Sequence, residues 1–152
     1  METFKMLLNS TVSTPSAKLF TGDISNMYLN STLPEPEYVK FKVDLIPPNI
    51  IKHYNLQPLI RDGYVYAQIN RAIYGLKQSG KIANQDLIAH LRKSGYHPVP
   101  LTEGLFVHKT RPTAFSLVVD DFAVRYSNKD DADHLIACLR EKYLFKVDWE
   151  AK

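Results

Sequence analysis

Two periods of apolar residues alternate along the chain. Residues 38–43, YVKFKV, alternate strictly, with Tyr38, Lys40 and Lys42 on one face and Val39, Phe41 and Val43 on the other. That is the pattern of an antiparallel strand exposed on one side. Residues 64–69, YVYAQI, repeat it after a turn signal at Gly63. From residue 77 to 91 the period lengthens: Ile82, Leu87, Ile88 and Leu91 share one helix face, and Gly95 follows as a stop. A second helix is predicted over 129–143, where Ala132, Leu135, Ile136, Leu139 and Tyr143 form the apolar stripe. Ser127 and Asp130 supply its S-x-x-D start, and Arg140 and Lys142 suit the negative end of its dipole. Shorter segments complete the pattern: a helix over 2–8, a strand over 17–24, a helical turn from Met27, and a loop over 30–36. After Pro47-Pro48, residues 49–54 fit one or two helical turns, and strands are expected at 105–108, 114–119 and 145–149. Several strands are joined by short turns. The fold class implied is therefore α+β, a mainly antiparallel sheet with helices on one face.

The stretch FSLVVDDFAV, residues 115–124, breaks this pattern in an informative way. Two adjacent aspartates, Asp120 and Asp121, interrupt an apolar run and fall where the chain must turn between two largely buried strands. Carboxylates held close together repel, and desolvating them is costly unless a cation, strong donors or a raised pKa compensates. A solvated Asp-Asp turn capping a hairpin is the plain alternative. The 17–24 strand delivers a third carboxylate, Asp23, to its end. Three carboxylates without His or Cys form a hard oxygen set suited to Mg²⁺ or Mn²⁺.

Composition narrows the class. Hydrophobic residues at 45% and charged residues at 23% exclude a disordered chain, and 152 residues suffice for one domain with a buried core. The net charge of +3 permits a polyanionic partner without arguing for one. Cys138, the sole cysteine, rules out an internal disulfide and a cysteine zinc cluster, and it is expected to pack inertly. With a polar N-terminal stretch and no run of 18 apolar residues, the expectation is an intracellular chain, in cytoplasm or nucleus, with no membrane contact. His53, His90, His97, His108 and His134 share no ligand spacing, and Asp130, Asp131 and Asp133 read as N-terminal helix charges.

Three stretches then occur in order: GDISNMYLN with Asp23, RAIYGLKQSG with Gly75 to Gln78, and LVVDDF with Asp120 and Asp121. Together they resemble the reverse transcriptase domain of copia-type retrotransposon polyproteins, whose corresponding stretches usually read like DVKTAFLNG, ALYGLKQAPR and YVDD. The unbroken YGLKQ at 74–78 is the most specific part, and the resemblance covers about 2–152. It implies a polymerase palm that performs RNA-directed DNA synthesis by two-metal nucleotidyl transfer, with Mg²⁺ or Mn²⁺ as cofactor. Its partners would be an RNA or DNA template with primer and deoxynucleoside triphosphates, with integrase and RNase H domains in the full polyprotein. Carried over residue by residue, Asp23 and Asp120 become the principal metal ligands and Asp121 the third carboxylate. Tyr28 becomes the aromatic beneath the incoming sugar, excluding a 2′-hydroxyl, and Gly75, Lys77 and Gln78 lie near the nucleotide and templating base. The resemblance makes 1–152 a single partial domain, with 1–16 a remnant of the preceding region and 17–152 the palm.

The chain departs from the family at Val118, where a Tyr is usual, and in SGKIANQ after Gln78, where an Arg and an aromatic pair are commoner. Incomplete fingers and no thumb are expected, so the chain alone should show little polymerase activity. Apolar surface around Phe145, Val147 and Trp149 should be exposed. Two other readings of the same residues are an inactive element remnant that binds nucleic acid weakly, and a metal-dependent phosphatase or nuclease.

Overall fold

The apolar run around the Asp pair becomes the middle of a sheet. The computed structural model describes residues 2–150. In chain order it has α1 (Glu2–Val12), β1 (Lys18–Ile24), a 3₁₀ turn (Met27–Asn30), β2 (Thr32–Lys42), α2 (Pro48–His53), β3 (Tyr64–Arg71) and α3 (Ser79–Lys93). There follow β4 (Tyr96–Pro98), β5 (Leu105–His108), β6 (Ala114–Val118), β7 (Asp121–Tyr126), α4 (Lys129–Arg140) and β8 (Phe145–Asp148). The main sheet runs β4-β5-β6-β7-β1-β8 with every pairing antiparallel, while β2 and β3 form a separate two-stranded ribbon. The α+β class expected from the pattern is the class found.

Alternation decides which side of the sheet is core. Phe20 and Ile24 of β1, Phe115 and Leu117 of β6, Phe122 and Val124 of β7, and Phe145 of β8 point to one face. There they meet Leu87 and Leu91 of α3 and Leu135 and Leu139 of α4, all buried. Each such side chain contributes about 1.5–3 kcal/mol on burial. Thr21, Asp23, Ser116, Ala123 and Lys146 alternate onto the opposite face. Helix α1 packs there against β6 and β7, with Leu7 buried and Phe4 lining a shared cleft.

Glycine at position 22 is dictated by packing. A Cβ built there would lie 2.2 Å from the Phe145 ring, so only glycine lets the aromatic cross β1 beside Asp23.

Several expectations shift. The predicted loop over 30–36 instead opens β2, with a register irregularity between Thr32 and Glu37 that absorbs its two prolines. Helix α3 starts at Ser79 rather than 77, because Gly75 takes a φ of +97° and Ser79 accepts a hydrogen bond from the Ile73 amide through its Oγ at 3.0 Å. The strand β4 had no alternation to announce it. Phe145 is buried against Phe122 and Gly22 instead of being exposed. Val147 is half-buried, and Trp149 is 41% exposed with its ring 4.9 Å from that of Phe20. Among the described residues no helix is long and apolar enough to cross a membrane.

Candidate metal centre

The site is built from hydrogen-bond register. In the antiparallel pairing of β1 with β7, Asp23 lies directly opposite Asp121, and on its other side Asp23 lies opposite Lys146 of β8. Val118 of β6 pairs with Asp121, so Val118, Asp121, Asp23 and Lys146 form one row across four strands. The sequence pattern placed both aspartates of the pair in the turn. Only Val119 and Asp120 occupy it, and Asp121 opens β7. Val119 holds a φ of +59°, unusual for a β-branched residue and costing on the order of 1–3 kcal/mol. That turn folds Asp120 back to the end of β1, where its carbonyl accepts the Ile24 amide at 3.1 Å.

The result brings Asp23, Asp120 and Asp121 together, with one carboxylate oxygen of each lying within 4.8 Å of the others. Like charges placed directly opposite in a sheet destabilise it. The effect shows on Asp121, whose carboxyl is pushed above the usual aspartate range by burial first and then by the charges of Asp120 and Asp23. Three converging oxygens, partly exposed and mutually repelling, match the donor set of a hard divalent cation, so these residues fit such an ion. Lys146 is the cation the chain itself brings to this row, and with Asp23 and Asp121 it lines a cleft of about 370 Å³ floored by Thr21, Ser116 and Ala123.

The other sequence candidates divide. Tyr28, on the 3₁₀ turn, packs its ring 4.4 Å from that of Tyr74. Tyr74 in turn donates its hydroxyl to Asp120 Oδ2 at 3.2 Å. Burial and the neighbouring Asp120 charge raise the Tyr74 phenol above its ordinary value, which keeps it a donor. Gly75 is exposed and open, with nothing within 4 Å of where a Cβ would stand. Lys77 is exposed, and Gln78 donates to Glu37 Oε1 at 2.7 Å. The structure thus joins Tyr28 to the carboxylates through Tyr74. The sequence pattern singles out neither Tyr74 nor Lys146 as a site residue. Tyr74 stood inside YGLKQ, directly before Gly75, whereas Lys146 carried no signal until strand order placed β8 beside β1.

Several of the other histidines and acids have structural partners. Asp131 is more than a helix-end charge: it is buried and paired with Arg111 at 2.7 Å. His108 accepts the Thr110 and Arg111 amides on Nδ1 and contacts the Ser94 carbonyl through Nε2. His134 Nδ1 lies 2.9 Å from the Tyr96 hydroxyl, His90 Nε2 lies 2.6 Å from the Cys138 carbonyl, and Cys138 is buried.

No family model matches the chain. Over 126 residues it is 29% identical to a Saccharomyces cerevisiae protein assigned to the Ty5-1 transposon, a similarity that spans 82% of this chain. The match covers 37% of that relative's length. Among solved structures, the chain resembles telomerase from Candida albicans in complex with a fragment of telomeric RNA, with a TM-score of 0.48 and 13% identity over 96% of this chain and 29% of that one.

Proposed function

We propose that the chain is the palm portion of a copia-type retrotransposon reverse transcriptase, a metal-dependent nucleotidyl transferase that extends a DNA primer on a template. The observation that carries this reading is the convergence of Asp23, Asp120 and Asp121, from strands distant in sequence, within 4.8 Å. The order of their three motifs and the similarity to a transposon protein support it. When bound, Mg²⁺ or Mn²⁺ would favour deprotonation of an attacking hydroxyl and offset charge on the departing pyrophosphate. In this reading Asp23 and Asp120 are the principal metal ligands and Asp121 is the more weakly engaged third carboxylate. Tyr74 fixes the Asp120 carboxylate by its hydroxyl, and Tyr28 presents a ring beneath the nucleotide sugar, where bulk discriminates against a 2′-hydroxyl. Gly75 leaves its turn open for close approach of the nucleotide, and Lys77 offers an exposed charge to phosphate.

The test has two parts. Mn²⁺ titration followed by electron paramagnetic resonance should show binding that Asp23→Asn and Asp120→Asn each weaken at least tenfold. On a primed template, any deoxynucleotide incorporation should require Mg²⁺ or Mn²⁺ and disappear in Asp120→Asn. Metal binding indifferent to both substitutions would overturn the assignment.

A further inference from the structure

We propose that one face of the β2–β3 ribbon is a binding surface for single-stranded nucleic acid, separate from the carboxylate centre. Register defines the face. Tyr38 lies opposite Gln68, Lys40 opposite Tyr66, and Lys42 opposite Tyr64, so these six side chains project to one side. Val39, Phe41, Val65 and Ala67 project to the other. Tyr38 and Tyr66 are 71% and 60% exposed, an unusual investment of aromatic surface in solvent. Lys40 and Lys42 are exposed beside them, and Lys40 Nζ stands 4.8 Å from the Tyr64 ring centroid. No carboxylate occupies any of the six positions, and Glu37, the nearest acid along β2, falls in the opposite row and bonds Gln78.

This chemistry selects its occupant. Tyr38 and Tyr66 are diagonal neighbours across the two strands, a relation that sets residues about 7–8 Å apart, far enough for each ring to take an unpaired base. Base stacking on aromatic rings flanked by lysines that reach phosphates is how sequence-tolerant single-strand surfaces work. A duplex hides its base faces and offers the tyrosines nothing to stack on. A protein partner is the poorer fit, since lysine is depleted in the cores of protein interfaces.

The experiment is fluorescence anisotropy of the full chain with a labelled oligothymidylate of about 20 nucleotides and, in parallel, a blunt duplex of the same length. The single strand should bind more tightly. Tyr38→Ala and Tyr66→Ala should each weaken it by about tenfold, and Lys40→Gln with Lys42→Gln should lower the slope of log affinity against log salt by about 1.4. All four positions are exposed, so circular dichroism should show unchanged folding. Asp120→Asn should leave this binding intact, so failure of the polymerase reading and failure of this one are separately visible. The proposal is overturned if the tyrosine variants bind like the parent, if the duplex binds as tightly as the single strand, or if those variants alter only self-association in sedimentation.

Discussion

At the scale of single residues, the carboxylate centre is a place where the chain carries unfavourable electrostatics. Asp120 turns toward Asp23 and Asp121 although each repels it, and the Tyr74 hydroxyl is the donor that partly offsets this. Asp120→Asn should therefore raise the metal-free melting temperature by about 2–4 °C, roughly 1 kcal/mol for a domain of this size, while abolishing the gain that Mg²⁺ confers on the parent. A melting temperature lowered by several degrees would show the Tyr74 bond to outweigh the repulsion. Asp121 gives the pH dependence. Its folded value lies above the ordinary aspartate value of about 3.9, so the folded state holds this proton more tightly than the unfolded one. The penalty is fully present above the folded value and disappears as pH falls through it to the unfolded one. Thermal melts from pH 7 downward should show the metal-free parent gaining on Asp121→Asn, and saturating Mg²⁺ should erase that gain.

At the scale of elements, glycine and aromatic positions are coupled across strands. A Cβ at position 22 of β1 would meet both the Phe145 ring and the Lys146 carbonyl of β8, so Gly22→Ala forces the ring and the strand aside. Overpacking of this kind costs about 1–3 kcal/mol. Calorimetry should show a loss of about 2–12 °C that Phe145→Leu, tested in the same background, restores only in part, because the Lys146 carbonyl still stands 2.9 Å from the new methyl. The elements themselves were legible where periodicity ran long. The stripe of α4 and the alternation of β2 and β3 sit where the pattern put them. Short elements escaped: β4 has only Tyr96, His97 and Pro98, too few for a period to emerge, and the prolines that suggested a loop over 30–36 are accommodated on a ribbon edge. For the centre, residue type and motif order named Asp23, Asp120 and Asp121, because carboxylates at strand ends advertise themselves. The partners Tyr74 and Lys146 depended on which strands lie side by side, and strand order is a property of the whole chain that local pattern does not encode.

At the scale of the molecule, the decisive feature is that β1, near the start of the chain, lies between β7 and β8, from its far end. Time is the dimension in which this matters. As the chain emerges during synthesis, β1 carries Phe20 and Ile24 with neither neighbouring strand yet made, and Asp23 waits beside no other carboxylate. Pairings so remote in sequence are slow to close, because loop entropy is spent before any contact repays it. In stopped-flow refolding, Mn²⁺ binding should therefore appear only in the phase that packs Trp149 on Phe20, with no earlier partial affinity. Metal binding ahead of the tryptophan signal would show β1 and β7 bringing the carboxylates together before β8 and Trp149 are in place. The centre is thus completed only once β7 and β8 have folded back beside β1, so its chemistry waits on that pairing.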